Sequence, residues 1–485
     1  MKQILNFVDG QWLKTDNTFT KTSPVDGRAI ATVFEADQAL VDRAVSAGKK
    51  AFSGQWGQMS LTQRCGYLSK IADIIERRAD EFVAAESADV GVPEPIARMV
   101  NVGRTAYVFR MYADEAMRFF EQSYSFAPPN GGQALHYTLH RPKGVVGAIS
   151  PWNVPLLLLA FKVAPALAAG NAVVAKPSEV TPQTATLLAE VIEEAGLPAG
   201  AFNLVHGFGK DSAGEYLTAN PDVEAFSFTG DTRTGELIMT NAAQGIRDVC
   251  LELGGNNAAL VFADCDLDQA VAGTLRSAFM NCGQICFSTE RIYVHRSVYN
   301  EFIERLAKAV NAMKLGAPEE AGVQMGPLVS HQHREKVLAL LATVERDGGS
   351  FVTGGGVPRF GDAKDEGAFI EPTVVTGLGE DAEFVRTEVF GPVCHVAPFD
   401  SEEEVVAKAN DTRYGLAAVI WSQNLSLAHR VAAQVRAGNV WINDWQLRDM
   451  RTPMGGVGAS GIGYQGGRES LEFFTDLVSV TARIS

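Results

Sequence analysis

Apolar residues recur at helical spacing from Gln38 to Phe52, and again from Leu61 to about Ala88. Leu61, Cys65, Leu68, Ile71, Ile75, Phe82 and Val83 mark the buried side of the second segment, which Gly91 and Pro93 end. A third helical segment is expected from about Glu94 to Glu121; it carries Arg98, Arg104, Arg110 and Arg118, whose default reading is a solvated face. Ahead of these helices, Val8-Asp9-Gly10 and Val25-Asp26-Gly27 are turn signals between short β-like runs, and they predict an opening hairpin. Beyond them, Tyr124 to Leu139 breaks the helical rhythm at Pro128-Pro129-Asn130-Gly131-Gly132 and resumes as an alternating strand. This reads as a protruding arm able to pair with another subunit.

From Gly144 the rhythm becomes strand, turn, helix, strand. Val145 to Ile149 and Asn171 to Ala175 are predicted strands, and Thr181-Pro182 is expected to cap and start a helix that stops at Gly196-Leu197-Pro198. Ala201 to Val205, Ala225 to Phe228 and Ala258 to Phe262 continue as short apolar strands. Strands separated by helices imply a parallel sheet with a cofactor crevice at its carboxyl edge. A second α/β stretch runs from about Gly254 to Asn443, with a helix from Ser297 to Leu315 closed by Gly316 and a strand from Gly438 to Asn443. The glycine-rich tail from Gly455 ends in an alternating strand, Leu477 to Ile484.

A chain of 485 residues fits roughly three domains of ~150 residues. With 46% hydrophobic and 20% charged residues, it has the balance of a soluble globular protein. A net charge of −15 argues against a nucleic-acid partner, since phosphate binding runs on clustered Lys and Arg. The longest apolar run, Pro155 to Gly170, is interrupted by Lys162 and prolines and is too short to span a bilayer, so no membrane association is expected. The six cysteines form no C-x-x-C pair, which suits a reduced, cytoplasmic protein. Cys282 and Cys286 stand four apart without a histidine nearby, so no metal site is expected.

Candidate chemistry begins with two stretches. Asn281-Cys282-Gly283-Gln284-Ile285-Cys286 offers a cysteine in a polar, glycine-containing turn, and Leu251-Glu252-Leu253-Gly254-Gly255 places one carboxylate between leucines. A thiolate nucleophile with a nearby carboxylate base is the minimum equipment for making and hydrolysing a thioester. Gly207-Phe208-Gly209 and Gly230-Asp231-Thr232-Arg233-Thr234-Gly235 come after predicted strands without forming G-x-G-x-x-G, and alone they are equally well glycine turns. Lys176-Pro177-Ser178-Glu179 shifts that balance: a lysine and a carboxylate after a strand can hold two ribose hydroxyls, and Glu179 would repel a 2′-phosphate. The helix starting near Gly230 offers free N–H groups to a pyrophosphate. Asn153, in Pro151-Trp152-Asn153, is a neutral donor suited to an oxygen that becomes negative, although alone it reads first as a turn residue. Glu388, before Val389-Phe390-Gly391-Pro392, is ambiguous by itself.

Taken together, Pro151-Trp152-Asn153, Lys176 to Glu179, Phe228-Thr229-Gly230, Leu251 to Gly255, Gly283 to Cys286, Glu388 to Pro392 and Ser460-Gly461-Ile462-Gly463 resemble the aldehyde dehydrogenase superfamily over essentially the whole chain. Within it, Thr232 to Glu236, Gly326 to Ser330 with His333 to Lys336, and Leu447 to Thr452 resemble the 2-hydroxymuconic and 2-aminomuconic semialdehyde dehydrogenases. The resemblance implies an α/β fold: a Rossmann-like NAD-binding domain (1–122 and 142–253), an α/β catalytic domain (254–452), and a β oligomerisation arm and tail (123–141 and 453–485). It implies Cys286 as nucleophile, Glu252 as the base for the deacylating water, and an oxyanion hole from Asn153 and the Cys286 backbone N–H. NAD would be held by Lys176, Ser178 and Glu179 at the adenosine ribose and by Glu388 at the nicotinamide ribose. Trp152, Gly209, Phe228, Gly230, Asp231, Leu253 and Phe390 would line the dinucleotide.

The substrate expectation comes from charge. The resemblance implies an arginine at Arg448 and another on the helix that holds Arg104; two guanidinium forks could grip a carboxylate, while Trp445, Leu447 and Phe109 could supply apolar walls and Asn153 would meet the aldehyde. The plainer reading of both arginines is a structural salt bridge. The expected function is NAD-dependent oxidation of 2-hydroxymuconate semialdehyde or a close unsaturated relative carrying a carboxylate; the alternative is another small uncharged or aromatic aldehyde. A homodimer or homotetramer is expected. Asp231, Asn256 and Tyr464-Gln465 depart from the usual pattern, and Asp231 would repel a phosphate unless it caps its own helix.

Overall fold

A computed structural model of the protein describes residues 1–119 and 121–484. Residue 120, within the expected third helical segment, and residue 485, the end of the expected tail, lie outside the described residues.

Five parallel strands form the centre of an eight-stranded sheet, in the spatial order Asp248–Glu252, Ala225–Thr229, Val145–Ile149, Ala172–Lys176 and Phe202–Leu204. The middle three are buried at every position, as a sheet covered by helices on both faces requires. The register sets Ile149 beside Lys176, and Phe228 beside both Ile149 and Leu251, so the loops after these strands leave from one edge. The predicted hairpin, Asn6–Val8 with Gln11–Leu13, closes one side of the sheet. Its Asp9 and Gly10 both take positive φ, 53° and 72°, as a tight hairpin turn demands. On the other side the short strand Gly461–Ile462 pairs antiparallel with Asp248–Glu252.

The chain passes from Glu252 to Asn257 into a second, seven-stranded sheet. Its order is Ser350–Thr353, Thr373–Thr376, Val393–Phe399, Thr289–His295, Asn257–Val261, Ala417–Trp421 and Asn439–Ile442, and only the first strand is antiparallel to its neighbour. A separate three-stranded antiparallel sheet joins Ser123–Phe126, Ala134–Pro142 and Thr475–Arg483, which pairs the expected arm with the tail strand. No described helix is long and apolar enough to cross a membrane.

Four local expectations change. The segment expected as one helix from Leu61 is two, Leu61–Arg77 and Ala79–Val90, broken at Arg78 (φ −97°, ψ 19°) although the apolar rhythm runs through the break. The third segment is a short helix Glu94–Ile96, a π-turn Ala97–Val102 and a helix Gly103–Met117. The strand Asp248–Glu252 is not among the expected ones; it opens on the exposed Asp248 and the half-buried Val249, and only its last three residues are buried. Thr181 does not cap the next helix, which starts at Gln183: the Thr181 hydroxyl has no partner, and the Asp89 carboxylate accepts the Gln183 backbone N–H (2.8 Å) and side-chain amide (2.7 Å) instead.

Candidate active site

Cys286 is delivered by a turn of unusual backbone. After the helix Leu267–Phe279, Asn281, Cys282 and Gly283 all take positive φ (53°, 59° and 69°). A Cβ at Gly283 would stand 1.9 Å from the Gly391 carbonyl oxygen, so only glycine fits. Left-handed non-glycine residues persist only where surrounding bonds enforce them. Here the Asn281 amide donates to the Asn153 carbonyl (2.9 Å), the Gln284 amide donates to the Asn281 carbonyl (3.0 Å), and Trp445 Nε1 donates to the Phe287 carbonyl (3.0 Å). Asn153, from the loop after Val145–Ile149, donates through Nδ2 to the Gln284 carbonyl at 2.9 Å, which anchors its amide beside the cysteine turn.

Glu252 ends its strand in a buried position, and its Oε1 has no hydrogen-bond partner. Burial pushes this carboxyl up to about 7, against the pull of Lys162 and Arg448. Lys162 enters the sequence pattern only as an interruption of an apolar run. It is fully buried on the helix Pro155–Ala169 and donates to Thr229 Oγ1 at 2.7 Å; burial lowers it while Glu252, Cys250 and Cys286 raise it. The signal available in the sequence is a single lysine in a helix with no other charge. Burial raises the Cys286 thiol, with the Glu252 and Glu388 charges acting the same way and Arg448 and the Phe287 N–H opposing.

Cys286 and Asn153 open on a cleft of about 750 Å³, counted out to its mouth. Its wall is apolar (Ile96, Val100, Leu157, Leu158, Phe161, Ile285, Phe287, Met450), and its polar side chains include Asn101, Arg104, Asn153, Gln446 and Arg448. Arg448 lies over the Phe161 ring at 5.3 Å and donates through Nη1 only to the Met454 sulfur, while its Nε and Nη2 are buried without partners. Among the described residues Arg104 makes no ion pair and no side-chain hydrogen bond. The salt-bridge reading therefore does not describe either arginine. It does describe their neighbours: Arg98 pairs with Asp80, and Arg110 with Asp73 and Glu76.

Three expected wall residues lie elsewhere. Leu447 is 73% exposed, Trp445 is buried beneath the cysteine turn, and Phe109 is in the hydrophobic core beside the first sheet. Gln446 takes φ 58°, which turns the chain so that it and Arg448 line the cleft while Leu447 faces solvent.

The expected cofactor residues gather at the carboxyl edge of the first sheet and on the facing loop of the second. Lys176 donates to the Pro177 and Gly207 carbonyls (2.8 and 2.7 Å) and stands 3.9 Å from the Glu179 carboxylate, with Ser178 Oγ accepting from the Val180 N–H (3.2 Å). Gly209 faces open space, whereas a Cβ at Gly230 would stand 2.4 Å from the Phe228 ring and one at Gly235 would stand 2.5 Å from Leu253. Asp231 caps its own helix, accepting from the Thr234 N–H (3.0 Å) and hydroxyl (2.6 Å), so its charge is directed at N–H dipoles. Glu388 accepts the Gly255 N–H at 2.6 Å, and a Cβ at Gly254 would meet its Oε2 at 2.3 Å, which explains the glycine pair. Burial pushes Glu388 up to about 7; the Gly255 N–H lowers it and Asp231 raises it. Glu290, which carries no motif in the sequence, holds the Val389 and Phe390 N–H groups (2.9 and 2.8 Å), and Trp152 meets the Phe390 ring edge-on at 5.2 Å. Carboxylates at both ends and a glycine-lined helix start between them fit two riboses and a pyrophosphate, so the donor set suits NAD. Among the described residues no cluster of His, Cys, Asp and Glu could hold a metal ion.

Asn256 uses its amide on the Val385 carbonyl (2.8 Å), and Gln465 donates to Ser227 Oγ (3.3 Å), while Asn256 Oδ1 and Gln465 Oε1 are buried without partners.

The aldehyde dehydrogenase family model matches residues 12–480. The chain is 52% identical over 484 residues to a 2-aminomuconic 6-semialdehyde dehydrogenase of Pseudomonas sp, covering 100% of this chain and 99% of that protein. It is 50% identical over 486 residues to a 2-hydroxymuconic semialdehyde dehydrogenase of Pseudomonas sp. (strain CF600), covering 100% of each. An NAD+ complex of an aldehyde dehydrogenase from Bacillus cereus superposes with a TM-score of 0.95 at 38% identity, covering 100% of this chain and 97% of that one.

Proposed function

The chain belongs to the aldehyde dehydrogenase family, and on that premise we propose that this NAD-dependent enzyme oxidises 2-hydroxymuconate semialdehyde, or a close unsaturated relative carrying a carboxylate, to the acid. One observation carries the choice of substrate. Two arginines without carboxylate partners line an apolar cleft that also holds Cys286. A buried guanidinium left unpaired is costly, and a carboxylate ligand supplies both the charge and the planar acceptor pair that it lacks.

In the proposed reaction the Cys286 sulfur, having given up its proton to water, bonds to the aldehyde carbon. The carbonyl oxygen becomes an alkoxide that accepts from Asn153 Nδ2 and the Cys286 backbone N–H. When bound, NAD supplies the hydride acceptor. A water then attacks the Cys286 thioester, its proton passing to Glu252, and the carbon–sulfur bond breaks to release the acid. Burial raises this carboxyl to about 7, which makes it a stronger base than an ordinary glutamate, as the task requires.

We also propose a cytoplasmic homodimer or homotetramer. The six cysteines are unpaired, and the three-stranded arm sheet exposes Tyr124, Phe126 and Leu477, the kind of surface a second subunit covers.

The test is reduced-cofactor absorbance with a six-carbon unsaturated semialdehyde and with an aldehyde of equal length lacking the acid. Two charge-assisted contacts at roughly 1.5 kcal/mol or more each predict a preference in kcat/KM of about 100-fold for the acid-bearing substrate. Equal kcat/KM for the two would refute the substrate assignment.

A further inference from the structure

Arg104 does not stand alone at its end of the cleft. Asn101, three residues earlier, lines the same cavity. It belongs to the π-turn Ala97–Val102, closed by the Gly103 N–H donating to the Arg98 carbonyl. One extra residue in a helical turn rotates the side chains before it by about 100° relative to those after it. The Asn101 amide is held: Nδ2 donates to Glu86 Oε2 at 2.9 Å, and Glu86 Oε1 accepts the Leu156 N–H at 3.2 Å. Fully buried, Glu86 thereby ties the π-turn to the first turn of the helix Pro155–Ala169. Among the described residues no donor reaches Asn101 Oδ1.

We propose that Asn101, positioned by Glu86, is a specificity-determining residue whose Oδ1 accepts a hydrogen bond from a hydroxyl or amino group on the carbon next to the substrate's terminal carboxylate. This rests on the reading in which Arg104 and Arg448 hold that carboxylate. Asn101 and Arg104 line the same cavity on either side of the π-turn, so a carboxylate on Arg104 brings its adjacent substituent toward Asn101. An acceptor reads the presence of a donor and not its element. The enzyme therefore takes 2-hydroxy and 2-amino substrates with similar kcat/KM and disfavours a 2-oxo group, which sets acceptor against acceptor.

The test compares wild type, Asn101→Ala and Glu86→Gln on the 2-hydroxy semialdehyde, the same chain without a 2-substituent, and an aldehyde without the acid. Asn101→Ala should lower kcat/KM for the 2-hydroxy substrate about tenfold, mainly through KM, and change the unsubstituted semialdehyde by less than about twofold. Glu86→Gln keeps the shape but turns an amide N–H toward Asn101, and it should erode the same preference. Equal losses on both semialdehydes, or no loss on either, would overturn the assignment. A wild type that ignores the acid group would instead sink the carboxylate reading beneath it, so the two failures are distinguishable.

Discussion

Arg448→Met separates a substrate-binding guanidinium from a structural one. In the free protein Arg448 gains a cation–π contact with Phe161, about 2 kcal/mol, and leaves Nε and Nη2 buried without acceptors. Each unsatisfied donor costs about 1–3 kcal/mol, so an apolar side chain of similar length should leave the free enzyme as stable as wild type or more so. Catalysis should move the other way. Losing a buried, charge-paired contact costs about 2–5 kcal/mol, or roughly 30- to 3,000-fold in kcat/KM for the acid-bearing semialdehyde at 1.4 kcal/mol per decade. The matched aldehyde without the acid should be affected far less. A third signature comes from charge: Arg448 helps hold the Glu252 carboxyl down, so its removal raises Glu252 further and moves the ascending limb of the kcat profile to higher pH. Thermal unfolding of the NAD-free protein, steady-state kinetics on both aldehydes and a pH series would measure all three. A loss of several kcal/mol in stability, as when one partner of a buried ion pair is removed, or equal kinetic losses on both aldehydes, would refute the reasoning.

Glu252→Gln should keep a first-turnover burst of reduced cofactor but lower steady turnover by about 10²–10⁴, and the absence of any burst would contradict a role confined to the deacylating water. In wild type, kcat should rise with pH through about 7, because Glu252 accepts a proton only when ionised and is protonated below that value; the variant should lack this limb. Asn153→Ala should lower kcat by about 10²–10³ with NAD affinity unchanged, and undiminished turnover in a folded variant would remove Asn153 from the oxyanion site.

Part of the site is legible in the sequence because three of its motifs stand at the ends of apolar strands, and a parallel sheet sends the ends of its strands to one edge. The runs ending at Ile149, Lys176 and Thr229 thus announce a shared crevice. The glycines at 230, 254 and 283 are also visible, though not their cause: a phenyl ring, a carboxylate and a carbonyl, each within 2.4 Å of where a Cβ would lie.

Periodicity reports which residues avoid water, and it is silent about how one element is rotated against another. It carries a single helix through the break at Arg78, and it gives no sign of the π-turn that precedes Arg104. Charge spacing does not tell Arg104 from Arg98, because pairing with Asp80 depends on a helix contributed by another part of the chain. Lys162 looks like a flaw in an apolar run until Thr229 and Glu252 close around it. Within one loop, the left-handed turn at Gln446 sends Leu447 to solvent and Arg448 into the cleft. By itself, then, the sequence determined the kind of chemistry, since reactive groups and the glycines that admit them are local properties. Which guanidinium groups are left without carboxylate partners in the cleft was decided only by tertiary structure, because pairing and burial arise from segments brought together by folding.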